Sequence, residues 1–169
     1  MKVFGIIGRS GSGKTTLIER LLPVLAGQGL SVSTIKQAHP AFDADTPGKD
    51  SWRHREAGAR EVLVATSRRW ALLRERRRDD EVGLDELLPH LEPVDLVLVE
   101  GFRAWPHPRL VVHRPSLGRP LEDDPQMVAL ASNEAVPDLS GRALTVPLLP
   151  LDDAPTIAAF ILTHCRLRP

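Results

Sequence analysis

Eight residues near the amino terminus, Gly8-Arg9-Ser10-Gly11-Ser12-Gly13-Lys14-Thr15, constrain this chain more than any other stretch. They match Gly-x-x-x-x-Gly-Lys-Ser/Thr, the phosphate-binding P-loop, a match that carries weight where a strand leads in and a helix leads out. Lys2 to Ile7 (KVFGII) is a short β-branched and aromatic run and predicts a buried strand. From Lys14 onward Leu17, Leu21, Leu22 and Leu25 recur at helical spacing until Gly27 and Gly29 end the pattern, with Pro23 expected to bend the helix. Glycines at 8, 11 and 13 permit backbone conformations that a Cβ resists, so that N–H groups can form an anion nest backed by a positive helix end. Lys14 adds a charge able to bridge β- and γ-phosphates. The Thr15 hydroxyl can ligate Mg²⁺, and Thr16 can donate to an α-phosphate.

A second strand, Ser31 to Lys36 (SVSTIK), completes a strand-loop-helix-strand unit, whose strands run parallel. The class is therefore α/β. Gln37 to Asp50 has two prolines, a glycine, three Asp and no periodicity, and predicts a long functional loop. Ser51 to Ala59 predicts a short helix. Glu61 to Thr66 and Arg69 to Leu73 predict a hairpin turning at Ser67-Arg68. A helix is expected from Gly83 to Leu91, with Leu84, Leu87, Leu88 and Leu91 on one face, followed by a central strand from Val94 to Val99. Further strands are expected at 109–113, 126–131 and 143–148, and a last helix from an Asp152 N-cap to Cys165.

With 169 residues the chain is expected to form a single domain over 1–169. Lys plus Arg and Asp plus Glu both number 22, so a sequence-independent grip on nucleic acid is not expected. One cysteine, Cys165, forbids an internal disulfide. The absence of an apolar run near 18 residues predicts no membrane span, and the opening residues lack a charged leader, so a cytoplasmic protein is expected. Charge is locally polarised: nine Arg fall between Arg53 and Arg78, and eight acids with no Lys or Arg between Asp79 and Glu100. This is either a solvated surface whose halves pair or a patch facing an anion or a partner.

A P-loop needs a metal-holding acid at the carboxyl end of a nearby parallel strand, and Glu100, ending VDLVLV, fits. Asp95 opens that strand and is expected at the opposite edge, without a catalytic role. Lys36 ends the second strand, where it touches a phosphate or a substrate anion or is simply solvated. Of the loop acids, Asp50 is favoured for the Mg²⁺ shell because a helix backs it, whereas Asp43 and Asp45 suit turn or solvent roles. His39 could orient a water or bind an anion. Asn133, after the MVALA strand, could read a purine edge or cap a loop.

GRSGSGKTTLIERL, TIKQAH, FDAD, PGKDSWRHREAGA and LVLVEGFR together resemble the MobB family of molybdopterin-guanine dinucleotide biosynthesis adaptors. The resemblance implies a P-loop NTPase-type fold, a mainly parallel sheet flanked by helices with an additional antiparallel hairpin. It also implies a homodimer, GTP and Mg²⁺ as cofactors with weak GTPase activity, and a MobA-type guanylyltransferase as partner, with molybdopterin or its guanine dinucleotide as a further ligand. By position it puts the phosphate loop on Gly8 to Thr16, the loop histidine on His39, the Pro-Gly-Lys-Asp-Ser stretch on Pro47 to Ser51 and the acid on Glu100. Family members often carry two histidines and an acid where this chain has His39, Pro40 and Ala41, so a role for that pair does not carry over. VEG is also similar to dethiobiotin synthetase, which leaves an ATP-dependent small-molecule kinase or synthetase as the alternative. Metal insertion ranks last, for want of a His-rich or Cys-x-x-Cys tract.

Overall fold

The β-branched opening run forms β1 (Lys2–Gly8), whose alternating side chains face two ways. The structure, a computed structural model, describes residues 1–39, 42–76, 80–121, 123–135 and 144–168. Pro40, Ala41, Arg77, Arg78, Asp79 and Ala143 of the sequence analysis lie outside these residues. The chain divides into two compact units, Met1–Gln37 with Gly83–Pro169, and Ala38–Val82.

In the first unit β1 leads into α1 (Lys14–Gly27), with Pro23 inside the helix. β2 (Val32–Lys36), β5 (Leu96–Glu100), β6 (Arg109–Val112), β7 (Met127–Ala131) and β8 (Leu148–Leu149) join β1 in a six-stranded parallel sheet of order β2-β5-β1-β6-β7-β8. β2 thus pairs with β5 rather than with β1, and Lys36 stands opposite Glu100. Phe4 and Ile6 point to one face, where Leu17, Leu21 and Leu25 of α1 and Ile157 and Ile161 of α4 (Ala154–Cys165) pack on them. Each such fully buried side chain contributes on the order of 1.5–3 kcal/mol.

The opposite face is covered partly by the segment between β5 and β6. Its His107 is buried, with neither ring nitrogen hydrogen-bonded among the described residues, and burial holds its pKa below the usual imidazole value. His107 lies so close to Gly5 that a Cβ there would stand 2.4 Å from its Nε2. Arg109, equally buried, donates to the carbonyls of Arg103 (2.7 Å) and Trp105 (3.1 Å) and pairs with Asp124, which fastens the segment to the sheet.

Three expectations need correction. The helix over 83–91 is only α3 (Leu84–Leu87), tightening into a 3-10 turn at Leu88–His90, because Pro89 has no N–H to continue the α pattern. Within the described part of 143–148, only Leu148 enters a strand, β8. The N-cap of α4 is Asp153, not Asp152: its carboxylate accepts from the Thr156 N–H at 3.0 Å, whereas Asp152 is engaged elsewhere.

The second unit holds α2 (Asp50–Glu56), β3 (Glu61–Ala65) and β4 (Trp70–Arg74). The two strands form the expected antiparallel hairpin, closed by Thr66 N–H donating to the Arg69 carbonyl at 2.8 Å. Asp43 and Asp45 fill turn roles and more. Both carboxylates accept from Arg55 (2.8 and 3.2 Å), and Asp45 also takes the Ser51 hydroxyl at 2.7 Å, anchoring α2. Part of the arginine-rich stretch is therefore paired inside its own unit, as is Arg74 with Glu61.

Candidate functional site

The eight-residue motif sits where the spacing put it, between β1 and α1. Gly11 and Gly13 adopt left-handed φ of 78° and 102°, conformations open to glycine at little cost. Gly13 is also the helix N-cap, and among the described residues no side-chain cap bonds the start of α1, nor does an acid stand in its first turn. Those amides are the groups a helix offers to an anion. The Ser12 hydroxyl is buried without a partner among the described residues. Lys14 Nζ donates to the Arg9 carbonyl at 2.9 Å, bracing the loop across its width. Its partial burial pulls its pKa down, Glu100 opposes that shift, and Lys36 adds to it.

Glu100 is where the strand-end argument predicts. Register sets Ile6 beside Glu100, two residues before the P-loop begins. The Thr15 hydroxyl donates to both Glu100 carboxylate oxygens, at 3.3 and 3.2 Å, and Lys36 Nζ lies 3.5 Å from Oε2. Gly101 and Phe102 then take φ of 95° and 54°, turning the chain sharply off the strand, and the Phe102 N–H is held by Gln37 Oε1 at 2.7 Å. Asp95, as expected, lies at the far end of β5, accepting from the Ser31 N–H and hydroxyl at 2.8 and 2.6 Å, which lowers its pKa.

Thr15 and Glu100 supply two hard oxygen donors side by side at the mouth of the loop. That fits Mg²⁺, which takes one or two protein oxygens and completes its shell with water and phosphate. Among the described residues no group of three or more His, Cys, Asp or Glu side chains could hold a metal ion unaided.

Lys14, Thr15, Lys36 and Glu100 are thus brought together; Arg9, Ser10 and Thr16 are exposed along the loop and first turn. Asn133 follows β7 and is paired with Asp152. Asp50 and His39 belong to the second unit. Asp50 is the first residue of α2, its side chain 91% exposed and 4.0 Å from Arg53. His39 is exposed and its carbonyl accepts from the Phe42 N–H.

Sequence reasoning missed Arg114. It leaves the end of β6 next to the loop, donates from Nε to the Ser12 carbonyl at 2.9 Å and lays its guanidinium beside Gly13. Its position just past a parallel strand adjoining β1 was the available signal.

The model of molybdopterin guanine dinucleotide synthesis protein B, MobB, matches residues 3–133. The chain belongs to the MobB family. It is 41% identical over 162 residues to the molybdopterin-guanine dinucleotide biosynthesis adapter protein of Haemophilus influenzae, covering 94% of this chain and 86% of that protein. To the adapter protein of the same description from Escherichia coli it is 36% identical over 157 residues, covering 90% and 86%. Among solved structures, a molybdopterin-guanine biosynthesis protein B superposes with a TM-score of 0.73 at 30% identity, covering 96% of this chain and 99% of that one. Bacillus subtilis MobB superposes at 0.74 with 28% identity, covering 98% of both. The MobB fold is thus the P-loop NTPase type, a mainly parallel sheet plus a two-stranded antiparallel one.

Proposed function

We propose that this protein is a GTP- and Mg²⁺-binding adapter of molybdopterin guanine dinucleotide biosynthesis, with slow intrinsic GTPase activity. One observation carries the reading: a glycine loop braced by Lys14 opens a helix with no side-chain cap, and Thr15 meets Glu100 at its mouth. Relatives bearing the adapter description support the pathway. Gly8 to Thr16 would hold the phosphates, and Mg²⁺ bound at Thr15 and Glu100 would neutralise charge between β- and γ-phosphates. Lys14 neutralises phosphate from the loop side. Lys36, already beside Glu100, can turn to the same anion. Hydrolysis is slow because orienting a water and stabilising the transferring group need more than Lys14 and a metal. A MobA-type guanylyltransferase is the partner to which such an adapter would present its ligand, molybdopterin or its guanine dinucleotide.

Titrating Mg·GTP into the protein by calorimetry tests this, and Glu100→Gln tests the metal. The amide should weaken GTP affinity about tenfold in Mg²⁺ yet leave it nearly unchanged in EDTA, since it removes one charged ligand and no phosphate contact. An unaltered Mg²⁺ titration would take Glu100 out of the metal shell. Turnover stimulated by a small-molecule acceptor without any protein partner would favour a kinase or synthetase instead.

The hairpin supports a homodimer. Opposed pairs Leu63–Leu72 and Ala65–Trp70 share one face, on which Leu63 and Trp70 are 60% and 64% exposed, while Val62 on the other face is buried. An apolar strand face left open is a common docking surface for a second copy. Sedimentation should give twice the 18.6 kDa chain mass, and Leu63→Asp should give the chain mass alone. A monomer before substitution would refute the dimer.

A further inference from the structure

The carboxyl ends of β7 and β8 meet on the edge of the sheet from which the P-loop leaves. Both strands run parallel to β1, on the side away from β5, and the Ser132 N–H donating to the Leu149 carbonyl at 3.1 Å holds their exits together. Asn133 and Asp152 emerge there as a locked pair. The Asn133 amide donates to Asp152 Oδ2, and the Asp152 N–H donates back to Asn133 Oδ1 at 3.3 Å. Arg20, on the helix that the P-loop opens, donates to Asp152 Oδ1 at 3.1 Å. The buried Leu151 reaches the loop itself, its Cδ2 lying 3.9 Å from where a Gly13 Cβ would be.

We infer that Asp152, held in place by Asn133 and Arg20, is the acceptor that reads the base of the bound nucleotide and selects guanine. The inference rests on the GTP reading above. Thr15, Glu100 and Lys36 occupy the β5 side of the loop, where the metal and the terminal phosphates belong. The nucleoside must therefore leave on the other side, over the ends of β6, β7 and β8. A carboxylate has about four lone-pair positions, and two are taken by Arg20 and Asn133. The rest face solvent, for the side chain is 66% exposed. Two acceptor oxygens match the adjacent N1–H and N2–H donors of guanine. Adenine instead turns the N1 lone pair toward them, and lone pair against carboxylate is repulsive. The remaining N–H of Asn133 can serve O6 or N7. Arg20 from α1 and the mutual hydrogen bonds of Asn133 and Asp152 at the exits of β7 and β8 hold this pair, so it is built before any base arrives, which lowers the entropy lost on binding.

Asp152→Asn is nearly isosteric and exposed, so the fold should survive it. Calorimetry with the Mg²⁺ complexes of GTP, ATP and xanthosine triphosphate reads the effect, and inorganic tripolyphosphate titrated into the unaltered protein checks the loop without any base. The unaltered protein should prefer GTP over ATP at least tenfold. The variant should lose GTP affinity tenfold or more and gain affinity for xanthosine triphosphate, whose C2 carbonyl accepts from the new amide. GTP and ATP binding equally to the unaltered protein, or an Asp152→Asn variant with unchanged preference, overturns the base reading alone while the loop keeps its ligand. No binding of nucleotide or tripolyphosphate overturns the nucleotide reading and this one with it.

Discussion

Lys14→Ala should bind Mg·GTP at least a hundredfold more weakly than the unaltered protein, a loss of about 2.7 kcal/mol or more in calorimetry. Its ammonium is the loop's own counter-charge. It is held across the loop by the Arg9 carbonyl at 2.9 Å and is partly desolvated, so under the proposed function it would meet an anion with little reorganisation left to do. Alanine leaves the loop side of a highly charged ligand to backbone amides alone, with only the metal and Lys36 on the β5 side to balance the charge. The fold should hardly notice, because one hydrogen bond at a half-exposed position contributes about 1 kcal/mol. Urea unfolding close to that of the unaltered protein, alongside lost affinity, is the expected pair of results. Micromolar affinity retained in Lys14→Ala would remove the loop from the phosphate site.

Gly8→Ala should act on the fold as well as on the ligand. Gly8 ends β1 at φ 153°, and a Cβ there would stand 2.3 Å from the Val112 carbonyl oxygen and 2.7 Å from Ser12 Oγ. The serine hydroxyl can swing away. The carbonyl cannot, since it belongs to β6, which pairs with β1 through Gly8 and Val112. Either the strands part or the loop shifts outward, and each costs packing. We expect about 3 kcal/mol of destabilisation and a Tm lower by roughly 6–12 °C. GTP binding should also fall, because a displaced loop no longer aims its amides. A variant as stable as the unaltered protein would mean that β1 and β6 separate more freely than their register implies.

What the sequence made legible was whatever local spacing decides. The P-loop, its strand and its helix follow from adjacent residues. Glu100 follows from one further rule, that ligands gather where parallel strands end. The hairpin around Ser67-Arg68 was equally local. The strand order was not: β5 comes between β1 and β2 only because a segment about sixty residues downstream inserts there, and no periodicity in either neighbour announces it. The same distance hid the supporting side chains. Arg114 reaches Ser12 across 102 residues and Arg20 reaches Asp152 across 132, so nothing near either arginine marked it. The misplaced N-cap had a different cause. Asp152 and Asp153 are identical in chemistry, and only Asp153 has Thr156 three residues ahead to accept from, while Asp152 is drawn aside by Asn133 and Arg20.

The closeness of His107 to Gly5 limits how chains of this architecture can drift. A methyl at position 5 has no room while an imidazole occupies the neighbouring space, and an imidazole at 107 has no room once position 5 carries a side chain. Arg109 Cβ, 2.9 Å from the same point, closes the space from the neighbouring strand, so a side chain at position 5 needs both the imidazole gone and β6 displaced. Gly5→Ala alone should be poorly tolerated, and Gly5→Ala combined with His107→Gly should recover only part of the loss, because the added methyl would still stand 2.9 Å from Arg109 Cβ on the paired strand.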